Sequence, residues 1–161
     1  MSAITELQAA ITLEDVATLL GYRASSLSYL LYVKPPERKY RYFDIPKKSG
    51  GLRHISAPEA DLCLLQKRLS CLLQDCLEEI YAVSDAKPGQ IRERISHGFR
   101  RKRSIYSNAR QHRNRRYVFN IDLENFFGSI NFGRVRGFFI ADRSFSLNPN
   151  VATIIAQIAC H

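Results

Sequence analysis

Asp122 closes an alternating segment, Arg116-Tyr117-Val118-Phe119-Asn120-Ile121-Asp122-Leu123, and a tight turn carrying Phe126-Phe127-Gly128-Ser129-Ile130 follows. In a strand, Tyr117, Phe119, Ile121 and Leu123 share one face, while Val118, Asn120 and Asp122 share the other. The apolar face would pack on a core and leave Asp122 pointing off the opposite side. A carboxylate at a strand end, behind a strongly basic stretch, suits a divalent cation and a phosphate substrate. A strand-end Asp that only caps a turn has the same local pattern, so both readings stand at this point.

The charge is unevenly placed. The chain has 161 residues, 24 Lys+Arg and 15 Asp+Glu, for a formal net charge of +9. Residues Ile91 to Tyr117 hold ten of the basic residues: Arg92, Arg94, Arg100, Arg101, Lys102, Arg103, Arg110, Arg113, Arg115 and Arg116. Glu93 is their only acid, so the rest of the chain is neutral and the whole net charge sits in this window. Phe99, Tyr106 and His112 interleave with the charges. Such a segment has the electrostatic footprint of a polyanion-binding surface, with nucleic acid the expected partner. The plainer alternative is a solvated charged face. A second cluster, Lys47, Lys48 and Arg53, surrounds a Gly50-Gly51 turn. Its side chains and nearby backbone N–H groups can converge on phosphates. A charged edge hairpin that resists aggregation would look alike.

The elements that must position these residues are legible in outline. Thr12-Leu13-Glu14-Asp15 predicts a helix start, with Thr12 as cap, and Gly21 ends that helix. A second helix is expected over Ser25 to Tyr32, and Pro35-Pro36 breaks the chain. Tyr40 to Ile45 and Leu52 to Ser56 read as a hairpin. After Pro58 the spacing of Leu62, Leu65, Leu69, Leu72, Leu73, Cys76, Leu77 and Ile80 predicts a long helix. Lys87 to Gln90 is expected as a loop, Asn131 to Ile140 as a helix, and Asn148-Pro149 as the cap and first turn of another. That last pattern is still apolar at Cys160-His161, so the chain reads as cut rather than finished. At 45% hydrophobic it can bury about one core. Cys63, Cys71, Cys76 and Cys160 show no metal-ligand spacing; Cys63 and Cys71 are expected as buried free thiols in a reducing compartment. There is no signal peptide and no long apolar run, which predicts a soluble cytoplasmic protein with no membrane partner.

Taken in order, these segments resemble bacterial reverse transcriptases. Tyr42-Phe43-Asp44-Ile45-Pro46-Lys47-Lys48-Ser49-Gly50-Gly51-Leu52-Arg53-His54-Ile55, with Pro58 and Gln66, is similar to the fingers motif of that family. His97-Gly98-Phe99, Arg103-Ser104-Ile105 and Asn108-Ala109-Arg110-Gln111-His112 follow, and the Asn-Ala-x-x-His element resembles that of retron reverse transcriptases. Tyr117 to Ile130 looks like the palm motif that carries the first catalytic aspartate. Asn131 to Gly137, and Leu147-Asn148-Pro149 with Val151-Ala152-Thr153, also look retron-like. The resemblance spans roughly residues 12 to 161.

It implies an α+β fold with an N-terminal helical segment over 1–39, fingers over 40–115 and the first part of a palm over 116–161. It also implies synthesis of DNA on a cognate structured non-coding RNA, with deoxynucleoside triphosphates, Mg²⁺ and an RNA/DNA hybrid in the site. A role in phage defence beside an effector protein would follow. Asp122 would be the catalytic, metal-binding aspartate and Leu123 would offer its backbone carbonyl. Phe127 would be the steric gate that crowds a ribose 2′-OH, and Lys47, Lys48 and Arg53 would grip the triphosphate. Asn108 and His112 would recognise the RNA, joined by Arg100, Arg101, Lys102, Arg103, Arg113 and Arg115. One departure matters: the family's later Tyr-x-Asp-Asp hairpin is absent, and after Asp122 the only acids are Glu124 and Asp142. The chain alone is therefore expected to be inactive. A group II intron or other defence-associated reverse transcriptase, and a truncated RNA-binding module without chemistry, remain the alternatives.

Overall fold

Thr12 begins helix α2 (Leu13–Leu19) as expected. Its hydroxyl accepts from the Asp15 N–H at 3.2 Å, and the Asp15 carboxylate accepts from the Thr12 N–H at 2.8 Å, closing a capping box. The backbone N–H groups of Ile11 and Thr12 hold the Asp15 carboxyl below its usual range. Gly21 follows with φ +67°, a conformation open to glycine, and Arg68 donates to the carbonyls of Leu20 and Gly21 at 2.9 and 2.6 Å. The computed structural model describes residues 2–48, 50–85, 97–124 and 126–160. The loop expected at Lys87 to Gln90 lies outside the described residues.

Helix α1 (Ala3–Ala9) has no announcing pattern in its own residues. It is capped from far along the chain. Glu79 accepts from the backbone N–H groups of Ala3 and Ile4 at 2.9 and 3.0 Å and from the Ser2 hydroxyl. The hydroxyl bond first, then the two amide bonds, lower the Glu79 pKa. Helix α3 (Ala24–Ser28) continues as a wider π turn over Tyr29–Val33, and a 3₁₀ turn at Pro36–Arg38 leads into the hairpin.

Strands β1 (Tyr40–Pro46) and β2 (Leu52–Pro58) pair antiparallel, with Tyr40 opposite Pro58 and Asp44 opposite His54. Gly50 and Gly51 turn the chain at φ +88° and +83°. Helix α4 (Ala60–Asp85) is the long apolar-striped helix, and α5 (Ile105–Gln111), α6 (Phe126–Ser129), α7 (Phe132–Ala141) and α8 (Pro149–Ala159) complete the order. Asn131 caps α7 by accepting from Arg134 N–H at 3.0 Å, and Asn148 caps α8.

One core joins α1, α2, α3, α4, α7 and α8. Leu7, Val16, Leu27, Leu65, Cys76, Val151, Ile155 and Ile158 are fully buried in it. Helix α8 is buried at six of its eleven positions, because α2, α4 and α7 all pack on it. All four cysteines are free. The expected burial fails for Cys71, which is exposed, and is partial for Cys63; the α4 face turned to the core carries Cys76 instead. Burial pushes the Cys76 thiol up to about 11. No described helix is long and apolar enough to cross a membrane.

The strand expected over 116–123 does not form. Residues 117–123 have no regular secondary structure and no ladder partners, since the two-stranded hairpin is the one sheet among the described residues. Tyr117, Phe119, Ile121 and Leu123 are all exposed rather than packed on a core. Alternation supplies a face, but a strand also needs a neighbouring backbone to bond. The tight turn after it is the short helix α6.

Two expectations about stability follow from this packing. Ile155→Ala should cost about 2–5 kcal/mol, seen as a lower urea midpoint with an unchanged slope. Glu79 has a lowered folded pKa, so its cap contributes fully above the unfolded carboxyl value and is lost as pH falls through the folded value. Glu79→Gln should flatten that acid limb in a urea series run from neutral pH down to about pH 3.

Candidate functional site

The hairpin and the segment after residue 120 meet at an open cleft of about 820 Å³. Arg53 and His54 line it from β2; Asp122, Leu123 and Phe127 line it from the other side. The structure thus brings Arg53 together with Asp122 and Phe127, which lie far along the sequence from it. Asp122 sits near the end of this irregular run and α6 carries Phe127. Phe126 holds the Phe127 ring edge-on at 5.4 Å between centroids.

Lys47 and Lys48 do not line this cleft; both are exposed at the hairpin turn. The backbone N–H of Lys47 donates to the Gly51 carbonyl at 3.0 Å, and Gly50 N–H donates to the Lys47 carbonyl at 3.1 Å. Those two donors serve the turn, so the expected convergence of backbone N–H groups on a phosphate loses them. His54 is a cleft residue that sequence reasoning passed over. Its Nδ1 lies 2.5 Å from an Asp44 carboxylate oxygen directly across the ladder. Pairing the two strands residue by residue would have found it.

Asp122 is the one carboxylate among the lining residues, and no group of three or more His, Cys, Asp or Glu among the described residues could hold a metal ion. One carboxylate and the Leu123 carbonyl do not make the ligand set that two divalent cations need. The residues described here therefore fit the expected Mg²⁺ only as part of a larger site.

The basic window splits into two parts. Residues 97–103 form a loop pinned to α4, and a second cavity of about 490 Å³ opens between Tyr81 and Arg100, Arg101, Lys102 and Arg103. Arg101 pairs with Asp75, and its backbone N–H donates to the Gln74 side chain at 3.1 Å. The Asp75 bond, followed by the Cys71 side chain, raises the Arg101 pKa. Arg100 lies over the Tyr81 ring at 4.8 Å. Arg103 approaches His97 at 3.2 Å, and His97 Nδ1 lies 2.8 Å from the Ser107 hydroxyl. Desolvation, then Arg103, then His112 hold His97 below its usual pKa.

The other part is α5 and the turn behind it. Ser104 caps α5 in a reciprocal pair with Ser107. Asn108 stands one helical turn before His112, which closes the helix, so both fall on one face. Arg113 and Arg115 follow in an exposed turn with Asn114 at φ +61°. Asn108 and His112 are exposed as well.

No family model matches the chain. It is 40% identical over 132 residues to the retron Mx65 reverse transcriptase of Myxococcus xanthus, which covers 81% of this chain. The chain belongs to the retron reverse transcriptase family. It is also 28% identical over 160 residues to the retron Mx162 reverse transcriptase of Myxococcus xanthus and 27% identical over 151 residues to the retron Ec86 reverse transcriptase of Escherichia coli. These matches cover 98% and 92% of the chain. The chain spans 28%, 29% and 42% of the lengths of these three retron relatives.

Proposed function

We propose that the chain is the fingers and the first part of the palm of a retron reverse transcriptase, an RNA-directed DNA polymerase acting on a cognate structured RNA. The hairpin β1–β2 would be the fingers element and residues 116–130 the opening of the palm. The observation that carries this reading is the shared cleft, where Arg53 of the hairpin faces Asp122 and Phe127. Arg53 supplies a planar, permanently charged donor for a phosphate. Lys47 and Lys48, exposed at the turn, would join it on the triphosphate. Phe127 would exclude a ribose 2′-OH. Asp122 would be one of several carboxylates around Mg²⁺, and the others would come from the remainder of a protein as long as its relatives.

The basic window would hold the RNA. Arg101 is engaged with Asp75, which fixes the loop; Lys102, Arg103, Arg113 and Arg115, with Asn108 and His112 on α5, would present the contact surface. An effector protein and a role in phage defence belong to the same proposal.

Primer extension by the full-length protein tests the catalytic part. Asp122→Asn should lower the rate roughly a thousandfold or more, since an amide is a far weaker cation ligand than a carboxylate. Its affinity for RNA should hold, and the 161-residue chain alone should incorporate nothing. Extension at the unmodified rate by the Asn variant would remove Asp122 from the site. Phe127→Ala in the same assay should admit ribonucleotides.

RNA binding has its own test. With a local charge of +9, affinity should fall steeply with salt, by a slope of roughly 0.7–0.9 per neutralised phosphate. Replacing Lys102, Arg103 and Arg113 with Glu should weaken binding and flatten that slope in a fluorescence-anisotropy titration. Affinity insensitive to both salt and these substitutions would place the RNA elsewhere.

A further inference from the structure

Phe99 holds a conformation that its surroundings do not reward. Its backbone has φ +56°, in the left-handed region that a bulky side chain rarely enters. Its side chain is almost bare, at 92% exposure, so burial does not offset that strain. Local strain of this kind persists where the surrounding structure over-determines it, and it gathers at functional sites. What over-determines Phe99 is visible. The next two residues are fastened to α4, Arg100 over Tyr81 and Arg101 on Asp75 and Gln74. Lys102 then returns the chain with a second positive φ, +58°. The loop is clamped at its middle, and the clamp throws the Phe99 ring outward.

That ring meets Phe127, a residue of the cleft. The Phe99 and Phe127 centroids lie 6.5 Å apart at 83°, an edge-on pair. Phe126 meets Phe127 from within the same helix at 71°. Phe127 thus has an aromatic neighbour within its own short helix and a second brought by the basic loop. An α6 of four residues, with no buried side chain, cannot by itself fix an exposed ring.

We propose that Phe99 is a positioning residue for sugar selection: it limits the excursion of the Phe127 ring and so sharpens rejection of ribonucleotides. This rests on the reading of Phe127 as the sugar gate. Phe99 acts through Phe127. The basic loop, anchored on α4, and the cleft are then mechanically joined through this ring pair.

The test is primer extension by the full-length protein with matched deoxy- and ribonucleotides, read as the ratio of the two kcat/KM values. Phe99→Gly removes the ring and keeps the backbone, because glycine takes positive φ freely. The deoxy preference should fall roughly two- to tenfold, the range an edge-on ring pair supports. The change should appear mainly as a lower KM for ribonucleotides. Phe99→Leu should restore part of the preference. Phe99→Gly combined with Phe127→Ala should select no worse than Phe127→Ala alone, since one residue works through the other. An unchanged ratio in Phe99→Gly beside a relaxed Phe127→Ala overturns the role of Phe99 and leaves the gate intact, as do additive effects in the double variant. If Phe127→Ala keeps full sugar preference, the gate reading itself falls and the Phe99 role falls with it.

Discussion

Helix α4 must satisfy two surfaces at once, and the rest of the molecule is arranged around that demand. At 26 residues it is about 39 Å long. One face gives Leu62, Leu65, Leu69 and Cys76 to the core, where α8 packs on it. Its polar positions are used as attachment points: Glu79 caps α1, Asp75 and Gln74 hold the basic loop, and Arg68 closes the end of α2. Elements far apart in sequence therefore share one rigid reference. Shifting α4 along its axis would move the N-terminal helices and the basic loop together.

How much of this was legible depends on whether the signal was local. The Thr12 box, the Asn131 and Asn148 caps, the Gly-Gly hairpin and the α4 stripe are short-range chemistry, and each appears where its residues placed it. Helix α1 was not legible, because its cap is Glu79, more than seventy residues away. Residues 116–123 show the opposite failure. Their alternation is strong, but pairing is a property of two segments, and no described segment pairs with them. The cysteines repeat the lesson on one helix: Cys76, on the apolar stripe, is buried, whereas Cys71, off the stripe though within the apolar pattern, is exposed.

The site was legible in its residues and not in its grouping. Arg53, Asp122 and Phe127 were each singled out from local pattern and family resemblance, yet only three-dimensional placement puts them around one cleft. His54 and Phe99 were harder. The first depends on strand register opposite Asp44, the second on a backbone angle that no residue type announces. Charge was the most readable property and the least specific. It marked the window correctly as basic, but Arg101 serves an internal pair with Asp75.

The bare alternation from Tyr117 to Leu123 carries a hazard of its own. Drawn out as a strand, it would offer one apolar face and an unpaired backbone, a template for self-association. Its flanks bear the usual remedy. Arg113, Arg115 and Arg116 crowd its approach, and Asp122 and Glu124 sit at its exit, so two such segments meet with like charges at each parallel end. The same residues that would hold RNA and metal would thus also serve as gatekeepers against such pairing.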